Sequence, residues 1–464
     1  MWRQVDLGAF PGNGLTDDCL LRCIRRDCHG ASVLEALDIS GAHAISWPVI
    51  LQVVRSCPSL RSLTMLCAGP APLTGPALHE LRATRLEAIG SRTRTCPPLR
   101  LAASFDVAHA DAFIAMLGGR DATLLIDGID LSWRMGALMG NGSPPHYALQ
   151  LEAFDSALAT SLRQADGIET PHLRIFDATG AGFAATHAGG VDAHGWAIDA
   201  LCRTLLRASG SLTAVSLASC LLDGRGAAAV ANALRHAPAL AVLSLADNKM
   251  GMLLSASGRA STSCHEGIVC LGQALSSLRR LQCVNLRGCG LVPQQVLHLA
   301  HVLPPTLRVL SVAFNHVDNT ACSALGILAT QGLTSLDAAH TMRWAGTSNA
   351  HLCCTALASF LSNAACTLEA LYLASNGIDA AALTTLCAGL RSNTSITELD
   401  VAMNACAGSD GANPAGLQAL RKALVGGNTT LKRLRLCGNP VDGHICLEAA
   451  LALGKALKVK RSEP

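Results

Sequence analysis

Aromatic residues make up only 3% of this 464-residue chain. That scarcity argues against one large irregular core built around Trp, Tyr and Phe. Half of the residues are hydrophobic, so the interior must be filled by Leu, Ala, Val and Cys. Such small, similar side chains suit many near-identical layers, and a chain built that way escapes the usual length limit on one core. A strong charge of one sign is also lacking. The net charge is +3 and the pI near 8.1, too mild a balance to argue for nucleic acid. No run of about 18 uncharged apolar residues occurs, so no membrane span is expected. The amino terminus, MWRQVDLGAF, carries charge at once and shows no stretch of signal-peptide length. Catalytic signatures are missing as well. There is no G-x-x-x-x-G-K-[ST] loop and no G-x-S-x-G elbow, and His265-Glu266 does not continue into H-E-x-x-H. No enzyme activity, catalytic residue or cofactor is therefore expected.

Cysteine, by contrast, is abundant, with twenty in the chain. The thiols are scattered, often at apolar periodic positions such as Cys202, Cys270 and Cys387, and do not gather in loops. They are expected to be reduced, buried and used as small hydrophobes. The expected compartment is the cytoplasm, with cytoskeletal association or the nucleus as alternatives. Cys19, Cys23, Cys28 and His29 could suggest zinc. The segment LTDDCLLRCIRRDCHG, however, spaces Cys19 and Cys23 four apart on a helix and lacks a C-x-x-C knuckle. No metal site is expected there. Adjacent Cys353 and Cys354 are taken as two ordinary helix positions.

Self-similarity organises the rest of the chain. LEALYLASNGI (368–378), LAVLSLADNKM (240–250), LRVLSVAFNHV (307–317), ITELDVAMNAC (396–406) and LKRLRLCGNPV (431–441) share the pattern L-x-x-L-x-L-x-x-N-x-L. Weaker copies start at Leu34, Leu60, Leu86, Ile126, Leu173, Leu212, Leu281 and Leu333, with a capping copy at Trp2, giving fourteen in all. In L-x-L both leucines project from one face of a short strand into the core. The Asn three residues later stands where the chain turns away, and its amide can satisfy loop backbone groups that stacking would bury. Asn248, Asn315, Asn376, Asn404 and Asn439 hold that step. Stretches such as 227–236, 380–391 and 416–425 carry apolar residues at spacings of three and four, the helical period.

Strand, helix and two turns in 26 to 28 residues resemble the ribonuclease-inhibitor-like leucine-rich-repeat family over nearly the whole chain. The resemblance implies an α/β leucine-rich-repeat solenoid, a horseshoe with a parallel inner β-sheet and outer helices, of about fourteen repeats. One domain is expected: a capping repeat at 1–33, repeats with insertions at 34–430, and a final repeat and cap at 431–464. It also implies a non-catalytic protein-binding scaffold or adaptor. Regulators of small GTPases and substrate receptors of ubiquitin ligases share this repeat class. No long acidic tail follows the repeats, which weighs against the first. The repeats begin almost at residue 1 and leave no room for an F-box, which weighs against the second. In this family cysteine also occurs at the Asn step, as at Cys220 and Cys289. The N-x-[ST] triplets at Asn393 and Asn428 fall just before strands, where the family uses them as turns.

Several repeats are too long, with the excess placed after the strand and before the helix, as in 133–147, 250–264, 341–350 and 405–414. These insertions are expected to line one rim. The middle residue of each L-x-L faces out of the core, and that column reads Asp6, Asp38, Thr64, Gly90, Asp130, Asp177, Ser216, Ser244, Asn285, Ser311, Asp337, Tyr372, Asp400 and Arg435. Six are Asp and one is basic. This pattern favours a protein partner with a basic surface, although a polar residue there also simply keeps a sheet soluble. Asp130, Asp177, Asp337, Tyr372, Asp400 and Arg435 on the concave face, with Trp133 and Trp344 on the rim, are the candidate partner-binding residues. Neither nucleic acid nor a membrane is expected as a partner.

Overall fold

The computed structural model describes residues 4–6, 16–27, 34–39, 44–65, 73–90, 98–104, 124–130, 173–178, 193–251, 262–342 and 347–440. The chain divides into two compact units, Met1–Cys220 with His236–Leu240, and Leu221–Arg235 with Ala241–Pro464. Each is a leucine-rich-repeat solenoid, in which short parallel strands alternate with helices.

In the N-terminal unit the order is β1 (Gln4–Asp6), α1 (Asp17–Asp27), β2 (Ala36–Asp38), α2 (Trp47–Ser56), β3 (Ser62–Met65) and α3 (Gly75–Ile89). There follow β4 (Leu99–Ser104), β5 (Leu124–Asp130), β6 (Ile175–Asp177), α4 (Ala193–Ala208) and β7 (Ala214–Ser216). Consecutive strands pair in parallel, with one register shift between Leu101 and Ala102 where β4 meets β5. One expected repeat is misplaced. Leu86 lies inside α3, whose capping Thr74 accepts a hydrogen bond from the Ala77 N–H. The strand comes later, at Leu99–Ser104, where the frame Pro98-x-x-Leu101-x-Ala103 has lost its first and last leucines. Gly90 is accordingly a helix C-cap at φ 50°. Ala102, not Gly90, pairs with Thr64.

The C-terminal unit opens with α5 (Gly224–Leu234), β8 (Val242–Ser244), α6 (Thr262–Ser277), β9 (Cys283–Asn285), α7 (Pro293–Val302), β10 (Val309–Ser311) and α8 (Asn319–Gln331). It continues with β11 (Ser335–Asp337), α9 (Thr347–Leu361), β12 (Ala370–Tyr372), α10 (Ala380–Ser392), β13 (Glu398–Asp400), α11 (Ala415–Gly426) and β14 (Arg433–Arg435). Strands β8 to β14 pair in parallel and in unbroken register. Local sequence explains the helix starts. Asp223, Asp318 and Asp379 each accept a hydrogen bond from the N–H three residues on, at 2.8 Å, satisfying a donor the helix cannot. Leu368, Leu371, Leu373 and Ile378 of one repeat are fully buried together with Leu383, Leu386 and Leu390 of α10. The core therefore lies between sheet and helices, and the residue between the paired leucines faces outward.

Burial corrects five of the described thiols. Cys387 is buried, whereas Cys202, Cys270 and Cys283 are half-buried and Cys19 and Cys437 are exposed. Cys353 and Cys354 are both fully buried in α9. Asn393 and Asn428 are buried turn residues. Their side-chain nitrogens donate to Leu361 O and Leu390 O, and their oxygens accept from the N–H groups that open the next strand segment.

Candidate protein-binding face

The Asn step works as a ladder in the C-terminal unit. Asn315 Nδ2 donates to Leu286 O of the preceding repeat and to Val312 O of its own, while its Oδ1 accepts from Leu291 N–H. Asn376 Nδ2 donates to Ala338 O, and its Oδ1 accepts from Thr341 and Met342 N–H. Cys289 holds the step with a thiol that donates to Leu245 O at 3.1 Å. Thr341, which the sequence pattern does not single out, holds it with a hydroxyl bonded to Ala338 O at 2.8 Å. Burial pushes the Cys289 thiol up to about 12, so it stays a neutral donor.

This ladder fixes the face opposite the helices. Strand register places Asp337, Tyr372, Asp400 and Arg435 side by side on four consecutive strands, a patch roughly 14 Å long at ordinary strand spacing. A second row, two residues earlier on each strand, runs Val242, Cys283, Val309, Ser335, Ala370, Glu398 and Arg433. That row is invisible to a pattern that follows only the middle residue of L-x-L. Row alternation at period two would have exposed it.

Glu398 is the centre of the charged end. Its carboxylate is only 6% exposed yet receives Arg433 at 2.6 Å and Arg435 at 3.5 Å. Arg435 also reaches Asp400 at 3.5 Å, and Asp400 accepts the Ala402 N–H. Tyr372 is half-buried, not freely exposed as the sequence suggested. Burial, and then the nearby Glu398 carboxylate, push its phenol above the usual value, while Arg435 and Arg433 pull it back. Asp337 accepts from Ser311 Oγ and from the Ala339 N–H, and no ion pair to it is found among the described residues. The column is acidic in sequence, but two of the three carboxylates at this end are neutralised by neighbouring arginines. The outcome is a cluster whose uncompensated charge sits at Asp337.

Other expected site residues fall elsewhere. Asp177 lies in β6 and pairs by backbone with Asp130 of β5 and Ser216 of β7, in the N-terminal unit. The side chain of Asp130, and Trp133 and Trp344 entirely, lie outside the described residues. Of the insertions, 405–414 is described in full and runs between β13 and α11 as expected. It borders a cavity of about 650 Å³ of mixed lining, with Asn376, Asp379, Asp410 and Asn413 alongside Ala381 and Ala405.

At the strand exits the residue before the Asn step takes a left-handed conformation in repeat after repeat: Asp247, Gly288, Phe314, His340, Ser375, Met403 and Gly438, with φ between 54° and 72°. Phe314 and Met403 are 45% and 61% exposed there. The Phe314 ring stacks on His340, with centroids 4.7 Å apart, and carries the Arg287 guanidinium 3.9 Å from its centroid.

Among known protein families, a leucine-rich-repeat model matches residues 304–326, which span β10 and the start of α8. No curated protein matches the chain in sequence. Among solved structures, a chain of the yeast Rad7 and Elc1 complex is similar at 15% identity and a TM-score of 0.49, covering 93% of this chain and 81% of that one. The leucine-rich-repeat-containing protein LegL7 from Legionella pneumophila is similar at 13% identity and a TM-score of 0.38, covering 68% of this chain and 88% of that one.

Proposed function

We propose that this leucine-rich-repeat chain is a non-catalytic scaffold or adaptor that holds a partner protein on the open sheet face of its C-terminal unit. The observation that carries this reading is the alignment of Asp337, Tyr372, Asp400 and Arg435 over a buried Glu398 that holds both arginines in place. A buried carboxylate is costly unless paired and hydrogen-bonded. A sheet face that needed only solubility would not require one. A half-buried tyrosine bordered by fixed guanidinium groups has the composition of an interface hot spot. The partner should place an apolar group over Tyr372 and Ala370 and a basic group at Asp337. Buried, protonated thiols are consistent with a reducing compartment, and we place the chain in the cytoplasm or nucleus.

Proximity labelling followed by mass spectrometry supplies candidate partners. The discriminating variant is Tyr372→Ala with Asp337→Lys, because Asp400→Lys would set a new cation beside Arg435. Direct binding of the leading partner to the purified chain should be lost in the double variant while it remains folded, its thermal midpoint lowered only by the lost Asp337 hydrogen bonds and Tyr372 packing. If every partner binds the double variant as well as the parent, this face is not the site.

A further inference from the structure

We propose that the strand-exit rim of the C-terminal unit, at Arg287, Phe314 and His340, is a second docking site that takes an acidic peptide segment of a partner protein, with a carboxylate next to an apolar side chain. The proposal rests on the chain being a protein-binding scaffold, but it uses a different surface and a partner group of opposite charge.

The rim position is set by backbone geometry. The Phe314 N–H donates to Ala339 O and the His340 N–H to Ala374 O, both at 2.8 Å, while φ is 57° and 55°. Two of the seven repeats meet this requirement with glycine, Gly288 and Gly438. Glycine takes that conformation without steric cost, whereas a bulky L-residue is strained in it. Folding alone would favour Gly or Asn at this step. Phe314 instead accepts the strain and keeps a large apolar side chain 45% exposed, the combination expected where strain serves recognition.

Two groups cannot share one face of a ring at stacking distance. Arg287, from the β9 exit, and His340, from the β11 exit, must therefore lie on opposite faces of Phe314. A guanidinium whose central carbon stands 3.9 Å over a ring centroid turns N–H groups away from the ring, and such groups match the two oxygens of a carboxylate. Among the described residues no carboxylate pairs with Arg287. One side of the cation is already dry, which strengthens a hydrogen bond to an anion. A single cation with no basic run around it suits a carboxylate on a peptide better than a nucleic-acid backbone, which requires several.

The test uses the full chain and random peptides of about twelve residues displayed on phage. Enriched peptides are synthesised and titrated by fluorescence anisotropy against the parent, Arg287→Gln, Phe314→Asn and Tyr372→Ala with Asp337→Lys. Expected are peptides carrying Asp or Glu beside Leu, Ile, Phe or Trp. Their affinity should fall about tenfold or more in Arg287→Gln and in Phe314→Asn, and also when their carboxylates are made amides. It should be unchanged in the Tyr372 double variant. Phe314→Asn should melt close to the parent, since Asn tolerates the backbone, so lost binding would not be lost folding. Failure to enrich any peptide, equal binding by Arg287→Gln, or equal binding of the amide analogues would overturn the rim site. Peptides lost only in the Tyr372 double variant would overturn it too, while supporting the sheet-face reading.

Discussion

Two ways of holding neighbouring repeats together are visible in the two units. In the C-terminal unit the step after the strand carries Asn248, Asn315, Asn376, Asn404 and Asn439, with Cys289 and Thr341 between them. The amide both donates to and accepts from neighbouring loop backbone, as at Asn404, which donates to Leu373 O and accepts from Ile378 N–H. In the N-terminal unit Cys220 is the residue described at that step, and its thiol donates to Ala178 O at 3.0 Å. By sequence register the same step falls there on Ala42, Ala68, Arg134 and Ala181, none of which carries a carboxamide. That unit secures one turn differently. Arg85, almost fully buried in α3, reaches across to Pro58 O at 3.0 Å, where the C-terminal unit uses Asn393 and Asn428. A ladder of mostly short amides, completed by Cys289 and Thr341, accompanies unbroken register from β8 to β14. Individual solutions tolerate the register shift seen between β4 and β5.

The largest effect that would sharpen this contrast is alkaline loss of stability. In the C-terminal unit burial raises Cys289, Cys387 and Cys406 from 9.0 to about 12. In the N-terminal unit it raises Cys202 to about 11. A raised thiol is protonated in the fold while its unfolded counterpart ionises. Its contribution is therefore complete below pH 9 and is lost as pH rises through the folded value. Each such thiol removes about 1.4 kcal/mol per pH unit within its window. Denaturant midpoints measured from pH 8 to 11 should fall steeply, and less so in a variant with Cys289, Cys387 and Cys406 changed to Ala, compared with its own value at pH 8. Parallel pH profiles for parent and variant would show that these thiols are not buried as described.

Next in size is the amide itself. Asn376→Ala removes one donor and one acceptor from a fully buried site and leaves Thr341 N–H, Met342 N–H and Ala338 O without it. Each unsatisfied group costs about 1–3 kcal/mol, so a loss of about 3 kcal/mol is expected. Cys220→Ala removes a single thiol donor and should cost about 1 kcal/mol. Equal losses by chemical denaturation would mean that the amide ladder does not distinguish the two units.

Much of this was legible because repetition amplifies a weak signal. L-x-x-L-x-L located thirteen of the fourteen strands described, since burying alternate leucines leaves one register open. It failed at Leu86 because a leucine in helix α3 imitates the first position of a strand copy, while the true strand has Pro98 and Ala103 where leucines belong. The column of Asp337, Tyr372, Asp400 and Arg435 was legible for the same reason. What that column did not reveal is that Glu398 would draw in both Arg433 and Arg435, because ion pairing between adjacent strands depends on the row two residues earlier. The rim stack went unnoticed although it had a signal: a bulky residue directly before the turn Asn, where the backbone needs a left-handed conformation.

That conformation supports the smallest and most specific prediction. Left-handed backbone costs an ordinary L-residue roughly 1–2 kcal/mol relative to glycine, and Asn rather less. Against this Phe314 gains a stacked neighbour worth about 0.5–1.5 kcal/mol and a cation contact worth about 0.5–1 kcal/mol. Phe314→Ala forfeits both contacts and keeps the strain, so it should destabilise by about 1–2 kcal/mol. Phe314→Asn forfeits the same contacts but recovers part of the strain, and should be more stable than the alanine variant by about 1 kcal/mol. At Ser216, on a regular strand of the N-terminal unit, the order should reverse, because Asn offers no relief there and disfavours an extended strand. Denaturant titration of the four variants decides the matter. If alanine is as good as asparagine at position 314, the backbone at the rim is not strained, and Phe314 needs no function to account for its place.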